Sequence, residues 1–532
     1  MRLYGILLAL AGTTLAVSGQ TNAVQTRQLT LENCIQIALE HNLDVQIQRL
    51  NPQVSRLTLR ADYGAYDPSL SVSGGHGSTV SPSGITSQGI NYPSIETEAN
   101  SFSSYVGGSL PWGTSYSVGA QAVDTYGTEP NLALDRPYVV RNSFLDANTG
   151  RTVNFSTTNY ASTPSRIPFE SVYGNVGLAS FTQPLLKNFW INQTTLQIKL
   201  DRRSLKMSEM DLRTQVMSTV TAVEQAYYNL IYDQENIIVQ RKALELAERL
   251  LVEDKERVLV GTLAPLDEKQ AESQAASSRA DLLAALGTED TQQRVLKSLL
   301  SDQYSQWKDV SVQPLDRMLA LPQEFDLQAS WNKGMSLRPD LVKEKLALEK
   351  QGFVVKFQWN QLFPELDLVG TAGYNASSTL NFDNALDQVG SRDNPYWTVG
   401  GQMTFPLGNI RARNNYKAAK LTRDQIALQL KQLQQNVLIQ IQDAIATAQT
   451  AFQRCGATRE ARIYAEAALD AEQKKLENGK STNFQVLQLQ RDLTTARSTE
   501  IRALADYNIA LANLASNEGT TLERRHVDLQ VR

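Results

Sequence analysis

Phe181-Thr182-Gln183-Pro184-Leu185-Leu186 has a counterpart in Met403-Thr404-Phe405-Pro406-Leu407-Gly408. Each ends an uncharged alternating segment and leads into a very long helical one. The segments begin alike, with Asp67-Pro68-Ser69-Leu70 matching Phe363-Pro364-Glu365-Leu366. The helical segments break alike, at Val260-Gly261-Thr262-Leu263 and at Asn478-Gly479-Lys480-Ser481. The chain therefore writes one unit twice: short helix, uncharged strands, one very long helix, a glycine break and a return helix. A duplicated unit of this kind points to a pore built by several chains rather than to an enzyme.

Working outward from those exits, charged residues make up 20% of the 532, yet five stretches contain none: 68–95, 99–123, 171–186, 368–382 and 395–410. Within them apolar and small polar residues alternate. Trp397, Val399, Met403 and Phe405 interleave with Thr398, Gly400, Gln402 and Thr404, and Tyr116, Val118, Ala120 and Ala122 interleave with Ser115, Ser117, Gly119 and Gln121. Period two with one apolar face predicts strands. Small polar residues on the other face suit a water-filled lumen, and each run has the roughly 9–11 residues of a tilted membrane strand. Aromatics gather at the ends, among them Tyr63, Tyr66, Trp112, Phe189, Trp190, Trp359, Phe363 and Tyr396, as in the girdles of a bilayer interface. The first half carries an insertion. Its part from Phe102 to Tyr126 reads as a hairpin about Pro111-Trp112-Gly113-Thr114, which either adds two strands to a barrel or forms an outward extension. The rest, Gly127 to Pro168, reads as an exposed loop.

No proline or glycine interrupts Lys187 to Val260, so one helix is expected there. Val216, Val223, Leu230, Ile237, Leu244, Leu251 and Val258 keep a strict seven-residue repeat, the pattern of a left-handed coiled coil. A return helix rich in Ala, Ser and Gln follows from Pro265, and the second half repeats the plan.

Net charge is −4, which gives no basic surface for nucleic acid. Residues 1–23 read as a secretory signal peptide: Arg2 is followed by an uncharged apolar run to Val17, with cleavage after Ser18 or Ala23. Beyond it no apolar run approaches the ~20 residues of a spanning helix. The two cysteines, Cys34 and Cys455, read as unpaired structural thiols, although export leaves a disulfide open.

Taken together, these residues resemble the TolC-type outer-membrane factor family, over nearly the whole chain beyond the signal and in both repeats. The fold class so implied is an α+β membrane duct. Three chains form one outer-membrane β-barrel, continued by a long periplasmic α-helical coiled-coil barrel, with two internal repeats per chain. The resemblance also implies partners: a homotrimer set in outer-membrane lipid of a Gram-negative bacterium, a periplasmic adaptor (membrane-fusion) protein, and an inner-membrane pump that supplies the energy. It places the periplasmic tip, where the tube narrows and the adaptor docks, at Val260, Gly261, Thr262 and Leu263 and at Asn478, Gly479, Lys480 and Ser481. The first tip fits the family's Val-Gly-Leu/Thr motif; the second has Asn478 where the family usually has an apolar residue. Asp267 follows the first tip at the spacing of a family Asp. Gln485 and Gln488 stand where the best-known members carry two carboxylates, so the resemblance implies a constriction of amides with weak cation selectivity. Pro184, Leu185, Pro406 and Leu407 mark the strand-to-helix exits.

The organisation expected is a signal peptide (1–23), a first repeat (24–320) and a second repeat (321–520), followed by a C-terminal tail (521–532). The first repeat has strands within 64–186 and long helices at about 187–260 and 263–302. The second has strands within 363–408 and long helices at about 411–477 and 482–516. His41, His76 and His526 lack any metal-ligand spacing, and no phosphate loop or nucleophile elbow occurs, so neither catalysis nor a cofactor is expected. The function expected is a passive exit duct of a tripartite efflux system, gated at its periplasmic tip. A type I protein-secretion duct of the same fold is the alternative, and a secreted coiled-coil scaffold is the reading from another class.

Overall fold

The computed structural model describes residues 25–85, 91–130, 137–160, 166–379 and 382–527. The expected signal peptide lies outside these residues. The first repeat runs β1 (Gln25–Leu29), α1 (Leu31–His41), α2 (Leu43–Tyr63), β2 (Ser69–Ser81), β3 (Gly84–Ile85), β4 (Asn91–Tyr92), β5 (Ile95–Ser109), β6 (Ser115–Pro130), β7 (Pro137–Leu145), β8 (Thr152–Tyr160), β9 (Arg166–Pro184), α3 (Gln193–Leu259), α4 (Pro265–Leu300) and the short α5 (Tyr304–Trp307). The second begins ahead of the boundary expected at 320, with β10 (Val310–Pro314), the counterpart of β1, and continues with α6 (Leu327–Leu337), α7 (Pro339–Asn360), β11 (Glu365–Ser378), α8 (Phe382–Ser391), β12 (Pro395–Thr404), α9 (Ile410–Glu477), α10 (Asn483–Glu518) and α11 (Thr521–Arg524). Corresponding helices have nearly equal lengths: α1 and α6 both 11 residues, α2 and α7 21 and 22, α3 and α9 67 and 68, α4 and α10 both 36. Local chemistry fixes several ends. The Thr30 hydroxyl accepts from the Asn33 N–H at the start of α1, and the Asp326 carboxylate accepts from two backbone N–H groups at the start of α6.

Two compact units cut across the two repeats. One comprises residues 1–54, 206–346 and 428–532; the other comprises 55–205 and 347–427. In the first unit β1 pairs parallel with β10, so the opening strands of both repeats lie side by side. Above that pair Tyr227 is fully buried and donates its hydroxyl to the Leu29 carbonyl (3.0 Å) and to Asp316 (2.9 Å). The heptad positions Val216, Val223, Leu230 and Ile237 of α3 are buried as the seven-residue repeat requires, the first three of them in one core with α1 and α4. Cys34 and Cys455 are both free and buried, and burial, with the Asp316 charge adding to it, pushes the Cys34 thiol up to about 12.

The second unit holds a six-stranded antiparallel sheet in the order β12-β11-β9-β6-β5-β2. The hairpin read at Phe102 to Tyr126 is thus two full strands of the sheet and not an extension of it. Cross-strand register sorts the two faces. One row crosses all six strands as Leu70, Val106, Val118, Ala179, Ala372 and Trp397. The neighbouring row, on the opposite face, reads Ser69, Gly107, Ser117, Ser180, Thr371 and Thr398, with Ser117 and Ser180 hydrogen-bonded at 2.7 Å.

Three expectations need correction. The span from Gly127 to Pro168 is not a plain loop, because β6 and β9 extend to Pro130 and Arg166 and β7 pairs with β8. Asp146, Asn148 and Thr149 make the β7–β8 turn, where Asp146 accepts from the Asn148 N–H and the Thr149 hydroxyl. Residues 131–136 and 161–165 of that span lie outside the described residues. Secondly, α3 starts at Gln193 rather than at Lys187, since Asn188 and Trp190 adopt positive φ and break the helix without any glycine or proline. Finally, the segment expected as a C-terminal tail begins with α11, buries Thr521 and Leu522, and sends Arg525 to the buried Glu224. The remaining long-helix ends lie within two residues of expectation.

Candidate functional site: the two helix reversals

At the end of α3 the chain turns on Gly261, with φ +79°. The Gly261 N–H donates to the Val258 carbonyl (3.0 Å) and the Thr262 N–H to the Arg257 carbonyl (2.9 Å). At the end of α9 it turns on Gly479, with φ +67°, and the pattern recurs: Gly479 to Leu476 (3.0 Å) and Lys480 to Lys475 (2.9 Å). This pair of bonds is the Schellman closure, which satisfies orphan carbonyls of a helix end with one left-handed residue. Nothing lies within 4 Å of a Cβ built at either position, so conformation and not crowding calls for glycine here.

The surfaces of the two reversals differ. Leu259 and Val260 are 85% and 79% exposed, and Leu266 also stands in solvent, while Leu263 is half-buried. At the second reversal Asn478 and Lys480 are exposed instead. The Asn478 amide donates back to the Lys474 carbonyl (2.6 Å), and the Ser481 hydroxyl donates to Glu472 (2.5 Å). Thr482 then caps α10, its side chain accepting from the Gln485 N–H, whereas α4 starts on Pro265 without a side-chain cap.

Just behind both reversals lies a contact that the sequence did not signal. Asn483, at the start of α10, donates its amide to Asp254 near the end of α3, and both residues are buried. The second carboxylate oxygen of Asp254, Oδ2, and the Asn483 amide oxygen, Oδ1, have no partner. Burial raises the Asp254 carboxyl above the usual range, the Asn483 hydrogen bond and Arg257 oppose the rise, and Asp267 and Glu253 add to it.

Asp267 sits half-buried in the first turn of α4 and reaches this cluster through its charge on Asp254. Gln485 and Gln488 are exposed on α10, and no hydrogen bond joins either to Asp267. The Gln488 amide donates to Asp492 (3.2 Å) and accepts from Arg491 (2.7 Å). Positions 485, 488 and 492 share one helical face, so a carboxylate missed in the sequence stands one turn beyond the two amides. At the strand exits the Leu185 N–H donates to the Leu366 carbonyl (2.7 Å), Pro184 is buried, and Leu407, next to Pro406, is almost wholly exposed. Each exit also uses a left-handed Asn. The Asn188 N–H donates to the Asn360 side chain (2.7 Å), and the Asn409 amide donates to the Leu362 carbonyl (3.0 Å). Among the described residues no group of three or more His, Cys, Asp or Glu is placed to hold a metal ion.

The sequence profile of the outer membrane efflux protein family matches residues 153–301 and 334–520. The outer membrane protein TolC of Vibrio cholerae is 22% identical over 366 residues, covering 68% of this chain and 80% of that one. The pyoverdine export outer membrane protein OpmQ of Pseudomonas aeruginosa is 24% identical over 336 residues, covering 59% and 63%. Among solved structures the CmeC outer membrane channel of Campylobacter jejuni superposes with a TM-score of 0.62 at 15% identity, over 92% of this chain and 86% of that one.

Proposed function

The chain belongs to the outer membrane efflux protein family, and on that premise we propose that it is the exit duct of a tripartite efflux system, a passive channel gated at its periplasmic tip. It resides in the outer membrane and is a channel protein of the kind its relatives are. The observation that supports a duct most is the two-faced sheet. An apolar row and a hydroxyl row cross the same six strands on opposite faces, which is what lipid on one side and water on the other demand.

The rest of the mechanism follows from the reversals. Three copies assemble, each presenting Val260 to Leu263 and Asn478 to Ser481 at the periplasmic end. The exposed Leu259 and Val260 give an adaptor an apolar foothold, and burying one such side chain is worth about 1.5–3 kcal/mol. Gln485 and Gln488, with Asp267 close to the Asp254–Asn483 contact, form the constriction. The energy for transport comes from the inner-membrane pump, since no catalytic constellation occurs in the sequence.

Extraction in mild detergent, sizing, and single-channel recording in a lipid bilayer test this reading. A heat-sensitive trimer with small, rarely opening conductance is expected. A water-soluble monomer or dimer without conductance would overturn it and leave the coiled-coil scaffold.

A further inference from the structure

We propose that three copies of this chain close an eighteen-stranded barrel, each pairing its β12 with the β2 of the next copy, so that the inserted β5–β6 hairpin enlarges the pore wall itself. The inference rests on the duct reading and goes beyond it by fixing the wall's composition and the surfaces that join the copies.

The second repeat gives the sheet two strands, β11 and β12, whereas the first gives four, β2, β5, β6 and β9. A unit duplicated without the insertion would give four per chain and twelve per ring. The insertion is built as wall. The apolar row from Leu70 to Trp397 passes through Val106 and Val118 of the inserted strands without changing face, and the hydroxyl row passes through Gly107 and Ser117. A one-residue slip would have turned every side chain of the hairpin to the wrong side. A hairpin standing away from the wall would have no need of two matched faces.

Both rows run off the sheet at its edges. Among the described residues β2 and β12 each have one neighbour in the sheet, so each leaves a row of backbone N–H and C=O groups without a strand partner there. In lipid that is untenable unless the edges meet. All five pairings are antiparallel, so β12 runs opposite to β2 and can meet a second copy's β2 in the same sense.

The helices joined to the two edges carry the matching evidence. α2, which leads into β2, exposes Leu43, Ile47, Leu50, Val54 and Leu57 at the 4-3-4-3 spacing of a coiled-coil seam. α9, which leaves β12, exposes Ile410, Leu421, Leu428 and Ile439, which fall within about 20° of one another around the helix. One seam belongs to the first repeat and the other to the second. Two different faces that meet head to tail make a heterologous contact, which closes into a ring when the rotation allows. The occupant of both seams is therefore another copy of this chain.

With strands about 4.8 Å apart and tilted about 40°, eighteen strands give a backbone diameter of about 36 Å, against about 24 Å for twelve. The insertion thus widens the wall about 1.5-fold.

Electron cryomicroscopy of the full chain in detergent decides the matter by counting strands. A ring of eighteen, with β12 of each copy hydrogen-bonded to β2 of the next, is expected. A ring of twelve with β5 and β6 outside it would overturn the inference and leave the duct reading standing, whereas the absence of any ring would overturn both. Excising residues 82–165 in favour of a short turn gives a second measurement. β2 and β9 run antiparallel and can then pair directly, so the ring should narrow to about two-thirds of its diameter. An unchanged diameter would also sink the proposal.

Discussion

At the first reversal Leu259 and Val260 stand in solvent, whereas at the second Asn478 folds its amide back onto the Lys474 carbonyl and Lys480 faces outward, although both turn on a left-handed glycine closed by the same two hydrogen bonds. Duplication has thus kept the backbone solution and let the side chains diverge. The backbone has one cheap way to reverse, while a surface is free to follow whatever it meets. On our reading the first reversal meets an apolar partner surface and the second does not.

The sharpest way to break this comparison is to strain both glycines equally. Gly261→Val and Gly479→Val each force a β-branched residue into positive φ, at about 1–3 kcal/mol. Gly261→Val should cut adaptor-dependent efflux about tenfold or more while trimers persist in detergent. Gly479→Val should cut it less. Equal losses would show that surface chemistry does not distinguish the reversals, and full efflux in Gly261→Val would remove the tip assignment.

The next test concerns the contact that ties the two reversals together. Asp254→Asn keeps an oxygen to accept from the Asn483 amide nitrogen and replaces the unpartnered carboxylate oxygen with a donor, which should stabilise the chain by about 1–3 kcal/mol at neutral pH. The pH dependence has a definite sign. The raised Asp254 carboxyl takes up its proton at higher pH folded than unfolded, so its contribution is most favourable below the ordinary Asp value near ~3.9 and is lost as pH rises through the raised value. Thermal unfolding at acid and neutral pH should therefore show the variant's gain shrinking towards acid. A gain that grows there instead would mean that Asp254 is not the group titrating.

Smaller effects sharpen the same contrast. Val260→Asn makes the first reversal resemble the second and should weaken adaptor binding about tenfold, if the valine is covered in the complex. Titration of purified adaptor against the trimer measures this. Gln485→Asp with Gln488→Asp adds carboxylates on the face that already carries Asp492, and divalent cations should then block the channel in planar bilayers. Unchanged block would place these residues away from the constriction.

Much of this was legible because it is local. Glycine and proline punctuate the chain at Gly261, Gly479, Pro184 and Pro406, and alternation or a seven-residue repeat fills the spaces between. What escaped was non-local or written in residues with several uses. Asp254 and Asn483 are 229 positions apart, and neither stands out among the polar residues of long helices. Whether the β5–β6 hairpin joins the wall could not be read from its own alternation, which is the same in either case. Its cross-strand partners place it within the sheet, and the wall itself is our inference. Asn188 and Trp190 ended the helical run without a glycine because the Asn360 side chain holds the turn, which is again a partner far along the chain.

The parallel pair of β1 and β10 has a consequence for how the chain matures. Gln25 lies opposite Val310, so this contact closes a loop of more than half the chain. Closing so long a loop is entropically slow, and contacts of that separation lower folding rates. The strand at the head of the first repeat has no partner until the second repeat has arrived. Assembly therefore begins late, with a long interval in which uncharged strands are exposed. Exposed strands of that kind are what makes a partly folded chain prone to aggregate.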